Sequence, residues 1–103
     1  MNITFQSLHF TADQKLKDYI TAKIEKLQKF NELIMDAKVT MKLENSGQVK
    51  DKIVEIVIHI PGETFICVEE SKTFESSADK AVDALKRQIK RHKEKKLVRK
   101  RSH

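Results

Sequence analysis

From Met35 to Leu43 apolar residues (Met35, Ala37, Val39, Met41, Leu43) alternate with Asp36, Lys38, Thr40 and Lys42, and Glu44 continues the pattern. Successive side chains of a strand point to opposite faces, so a period of two over this length means a strand with one dry and one wet face. A second such run spans about Lys52 to Ile60, with Val54, Ile56, Ile58 and Ile60 inward and Glu55 and His59 outward. A third spans Thr64 to Glu70. Their connections are hairpin-sized. Asn45-Ser46-Gly47-Gln48 is turn chemistry, and Pro61-Gly62 fits the centre of a type II turn, because proline presets the first φ and glycine tolerates the positive second. Strands joined in this way form an antiparallel meander, and its apolar face must be covered by the rest of the chain.

The flanking segments supply the cover. Asn2 to Leu8 alternates, with Ile3 and Phe5 on one side and Thr4 and Gln6 on the other, and reads as a short strand. Helix signals follow at once. Thr11 with Gln14 makes a capping box, and Asp13 competes as N-cap. Leu16, Tyr19, Ile20, Ile24, Leu27 and Phe30 then recur at helical spacing, so this helix buries one side. Lys23 falls inside that apolar stripe and must reach out to its rim, with Lys26 on the same edge. A second helix opens near Thr73, with Phe74 as a staple, and Ala78, Ala81, Val82, Leu85, Ile89 and His92 form its stripe. The order β-α-β-β-β-α predicts an α+β two-layer sandwich: a four-stranded sheet with both helices on one face and solvent on the other, like a double-stranded-RNA-binding domain. Tyr19 and the phenylalanines occupy core-compatible positions. Residues 1–97 make one domain. From Val98 to His103 no apolar stripe remains, and this basic tail is expected to stay disordered until it meets a partner.

Charge is distributed as unevenly as hydrophobicity. The net charge is +6, yet the run from Lys86 to His103 alone carries +9, with Glu94 its only acid, so the rest of the chain is mildly acidic. On the last helix Lys86, Arg87, Lys90 and Arg91 lie opposite the apolar stripe, where they can follow a phosphate backbone while the other face holds the angle. Most charge runs are simply solvated faces. Here the acids stop at Asp83, so pairing along the helix cannot absorb the charge, and a polyanionic partner is implied.

Other chemistries find little support. The histidines (His9, His59, His92, His103) lack metal-ligand spacing, and His92 continues an apolar stripe as a half-buried residue. The lone Cys67 sits in FICV as a small buried hydrophobe. Glu69 and Glu70 point to opposite faces, and the glycines and the proline are spent on turns, which leaves nothing for a phosphate loop. No catalytic constellation, metal or cofactor can be nominated. No stretch approaches a membrane span, and MNITFQSLHF reads poorly as a signal peptide, so a cytoplasmic protein with no membrane partner, monomeric when free, is expected.

DYITAKIEKLQKF in the first helix and DKAVDALKRQIKRHKEK in the last resemble the ribosome hibernation promoting factors and ribosome-associated inhibitor A, over about residues 1 to 96. The most specific parts are Lys23-x-x-Lys26-Leu27 and Asp79-x-x-x-Asp83-x-Leu85-x-Arg87-Gln88-x-x-x-x-Lys93. The resemblance implies a protein that occupies the mRNA and tRNA channel of the small ribosomal subunit and keeps idle ribosomes inactive when growth stops. It implies rRNA contacts by Lys23, Lys26, Lys86, Arg87, Lys90, Arg91 and Lys93. Where the family often has Asp-x-Tyr, this chain reads Thr73-Phe74-Glu75. The extra C-terminal domain with which long members pair two ribosomes is not found, so pairing ribosomes is expected to need a helper. Two rival readings remain: a basic module that docks on an acidic protein such as a sigma factor, and a general binder of double-stranded RNA.

Overall fold

The computed structural model describes residues 1–44 and 51–101, the last six by backbone alone. The turn expected at Asn45-Ser46-Gly47-Gln48 lies outside the described residues. The elements run β1 (Asn2–Leu8), α1 (Gln14–Phe30), β2 (Asp36–Leu43), β3 (Lys52–Ile60), β4 (Glu63–Ser71) and α2 (Phe74–Arg101). The strands form one sheet in the order β1-β2-β3-β4. β1 lies parallel to β2 because α1 carries the chain back across the sheet, whereas β2, β3 and β4 pair antiparallel. Gly62 has φ +80°, as its turn requires, and Ile60 pairs with Glu63 across it.

Both helices cover the same sheet face. The core joins Leu16, Ile20, Ile24 and Leu27 of α1 to Ala78, Ala81, Val82, Leu85 and Ile89 of α2, over Val39 and Met41 of β2 and the inward residues of β3. Ser77 is the exception in this apolar layer. It is fully buried, and its hydroxyl donates to the Lys52 carbonyl at 2.6 Å, so no polar group is stranded there. Met35 departs from the alternation: it precedes β2 and is exposed, its N–H donating to the His59 carbonyl.

Of the two readings of the first helix start, Asp13 is the cap. The Leu16 N–H donates to Asp13 Oδ1 at 2.9 Å, while the Gln14 amide donates to Asp18. Thr11 lies too far upstream to cap a helix that begins at Gln14. Asp13→Ala is expected to cost about 1 kcal/mol, which thermal unfolding would show as a fall of roughly 4–8 °C in Tm. At α2 the Ser76 N–H donates to Thr73 Oγ1. Phe74 is the first helical residue rather than a residue ahead of the helix, and it stacks on Phe10 with centroids 4.5 Å apart.

The helices lie side by side and run the same way, because Tyr19 near the start of α1 meets Asp79 near the start of α2, and Phe30 at the end of α1 meets Lys93. α2 has 28 residues, about 42 Å of helix, so it runs on past the end of α1 and gives the molecule its 54 Å long axis. The helix continues through residues 98–101, which the sequence reading assigned to a disordered tail.

Candidate nucleic-acid interface

The seam between α1 and α2 gathers the cations that the two helices carry. At one end Tyr19 donates its phenol to Asp79 (2.9 Å to Oδ1), and Lys23 pairs with the same carboxylate at 3.2 Å. This explains a lysine inside an apolar stripe: Lys23 reaches the rim, lies 5.6 Å from the Tyr19 ring centroid and meets an anion from the neighbouring helix. Its pKa is raised, first by the hydrogen bond and then by the charge of Asp79, so it stays cationic. The Tyr19 pKa is raised as well, chiefly by that hydrogen bond, because removing the phenolic proton would leave two anions in contact. The corresponding stabilisation is fully present below the ordinary phenol value of 10.0 and is lost as pH rises through the higher folded value. Tyr19 is the only tyrosine and the chain has no tryptophan, so its ionisation can be followed directly by phenolate absorbance. In Asp79→Asn the titration should move down towards 10.0 or below, since Lys23 remains beside the ring.

At the other end the Phe30 ring is flanked by Lys93 at 4.8 Å and Lys86 at 5.6 Å. Lys93 also donates to the Phe30 carbonyl at 2.9 Å. That carbonyl is among the last of α1 and has no acceptor role left within the helix, so a cation from α2 both caps it and meets the negative end of the α1 dipole. Between the two ends lies a groove of about 160 Å³ lined by Lys23, Lys26, Leu27, Phe30, Val82, Asp83 and Lys86.

The residues expected to contact RNA therefore fall into groups. Lys23, Lys26, Lys86 and Lys93 come together along the seam, with Lys23 and Lys93 tied down by protein contacts. Lys90 is exposed one turn beyond Lys86. Arg91 faces the other flank of α2, beside Glu63, Thr64 and Phe65 of β4, and Arg87 lies close enough to Cys67 of β4 to act on its thiol. The basic surface thus wraps over α2 instead of lying wholly between the helices. Among the described residues, Lys26, Lys86, Arg87, Lys90 and Arg91 make no ion pair, so their charge is available to a partner.

Sequence reasoning missed the aromatics. Tyr19 and Phe30 are 36% and 37% exposed, at the surface of the seam and not inside the core. It also assigned Asp79 no role, although Lys23 in an apolar stripe signals the need for a nearby anion. His92 is half-buried as expected, its ring edge-on to Phe65. Cys67 packs against the core, and burial, the largest cause, pushes its thiol pKa up, as suits a packed residue. No described helix is long and apolar enough to cross a membrane.

Comparison with known proteins supplies the context for this surface. Residues 3–97 match the family model described as Sigma 54 modulation protein / S30EA ribosomal protein. A ribosome hibernation promoting factor of Pseudomonas putida is 30% identical over 95 residues, covering 92% of this chain and 89% of the relative. One from Azotobacter vinelandii is 31% identical over 99 residues, covering 96% and 87%. Among solved structures, the N-terminal domain of Thermus thermophilus Protein Y superposes with a TM-score of 0.76 at 29% identity, covering 89% of this chain and 99% of that one. A ribosomal subunit interface protein from Coxiella burnetii has the same fold, with a TM-score of 0.81 at 20% identity and coverage of 90% and 98%.

Proposed function

Because this chain belongs to the sigma 54 modulation protein and S30EA ribosomal protein family, we propose that it is a ribosome hibernation factor, which binds small-subunit rRNA in the mRNA and tRNA channel and keeps idle ribosomes inactive. The observation that carries this reading is the cationic surface of Lys26, Lys86, Arg87, Lys90 and Arg91, which make no ion pair among the described residues and are held by the sheet and helix pair. Lys23 and Lys93 contribute charge while their contacts within the protein position Tyr19 and Phe30. Residues 1–97 form the binding domain, and residues 98–103 extend its positive charge. The activity is occupancy without a chemical step. It needs no cofactor, and a factor of this kind acts in the cytoplasm, as a monomer until it binds.

Sucrose-gradient sedimentation of a stationary-phase lysate tests the proposal. The protein should co-migrate with small subunits or whole ribosomes. Protein that stays at the top of the gradient at both low and physiological salt would defeat it. Binding by counterion release from about six phosphates predicts that the logarithm of affinity falls with the logarithm of salt at a slope of roughly −4 to −5. A second reading, a module for an acidic protein partner, draws on the sigma 54 modulation description of the family. It predicts an association that survives nuclease treatment, whereas rRNA binding does not.

A further inference from the structure

Asp83 is the residue that a phosphate-binding surface does not explain. It is exposed and lines the seam groove with Lys23, Lys26 and Lys86. A carboxylate there repels phosphate and weakens any interface built on counterion release alone. Its neighbour one turn back, Asp79, is consumed by Tyr19 and Lys23, but among the described residues Asp83 accepts no hydrogen bond and makes no ion pair. A free, exposed acceptor set among cations suits a ligand that brings N–H donors together with a phosphate.

The groove, about 160 Å³ in volume and open to solvent, has the walls for a planar ring of such a ligand. Leu27 and Val82 make its floor, and the half-exposed Phe30 ring stands at one end. Lys93 is fixed there by the Phe30 carbonyl. Lys86 lies over the ring with no hydrogen bond among the described residues, so it can swing away to a phosphate when another ring takes its place. Stacking on an aromatic ring requires a base that is not paired.

We infer that the groove between α1 and α2 binds one unpaired guanine nucleotide of RNA, its base against Phe30 and its Watson–Crick edge on Asp83. Guanine alone offers two adjacent donors, N1–H and N2–H, to the two oxygens of a carboxylate. Adenine and cytosine each set one amino group beside a lone pair that the carboxylate repels, and uracil sets its N–H between two carbonyls. Lys26 and Lys86 then take the flanking phosphates. This inference rests on the RNA-binding function proposed above and names the base recognised at that surface.

Fluorescence anisotropy with a labelled short oligouridine carrying a single central guanine, adenine, inosine or uracil tests it on the whole protein. The guanine RNA should bind about tenfold more tightly than the all-uridine RNA, and inosine, which lacks the N2 amino group, should lose most of that preference. Phe30→Leu should weaken the guanine RNA about tenfold. Asp83→Asn separates recognition from charge. It should abolish the guanine preference while raising affinity for the all-uridine RNA, because an anion has been removed. Equal wild-type affinity for all four RNAs, or an Asp83→Asn variant that binds every RNA more tightly by the same factor, would overturn the inference. Wild-type protein sedimented with ribosomes alongside distinguishes the failures. Ribosome binding without guanine preference sinks this site and spares the function, whereas loss of both sinks the two together.

Discussion

Replacing Lys86 and Lys90 together by Glu should reduce affinity for small ribosomal subunits roughly a hundredfold at physiological salt, with no loss of fold. Each phosphate left without its cation forfeits about a fivefold gain from counterion release at that salt, and two new carboxylates add repulsion in place of the attraction. The slope of log affinity against log salt should also become shallower by nearly 2, since two fewer counterions are released. Both side chains are exposed and neither makes an ion pair among the described residues, so the substitution strands no partner. Within the protein it removes the approach of Lys86 to the Phe30 ring, an exposed cation–π pair of small energy. Circular dichroism should therefore show an unchanged helix content and a Tm within a few degrees of wild type. Titration of labelled protein with purified small subunits is the decisive measurement, and normal affinity in the double variant would mean that RNA meets another face.

The contrast between Lys86 and Lys93 shows what sequence alone can and cannot reach. Lys93 entered only through the family resemblance, whereas Lys86 was legible as a cation on the outer arc of the last helix, because periodicity reports the angle of a side chain around its helix axis. It does not report where the neighbouring helix lies. The α1 residues Tyr19, Lys23 and Phe30 share one edge of the apolar stripe, and whether that edge is core or surface depends on how closely α2 approaches. α2 leaves a groove there, so the two aromatics reach solvent and the cations of both helices close around them. The sheet was far more legible. Val54, Ile56, Ile58 and Ile60 point inward as the alternation requires, since a slip of one residue would turn all four to water. The parallel pairing of β1 with β2 was likewise implicit in a strand, helix, strand order. The end of α2 was less legible for a related reason. An apolar stripe marks where a helix is packed, and it is silent about a helix that runs on past its support with good helix formers such as Lys and Arg.

Leu85→Ala should have the opposite signature to the charge reversal. Leu85 is fully buried in the layer where α2 meets the sheet, one residue before Lys86 on the helix. Removing most of its side chain there gives up burial and leaves a cavity, at a cost of roughly 2–5 kcal/mol. A domain of this length has about 5–15 kcal/mol to lose. At some 4–8 °C per kcal/mol, the Tm should fall by at least about 8 °C and the urea midpoint should fall with it. Below its Tm, however, the variant keeps α2 and every exposed cation, so its affinity for small subunits and its salt slope should match those of wild type. If the scaffold acts only by holding the cationic helix in place, binding and stability separate in these two variants: one loses affinity and keeps its Tm, the other the reverse. A Leu85→Ala protein that is folded at the assay temperature yet binds tenfold more weakly would show that the packing beneath α2 sets the position of Lys86 and Lys90, and that the helix is held to a tighter tolerance than charge steering requires.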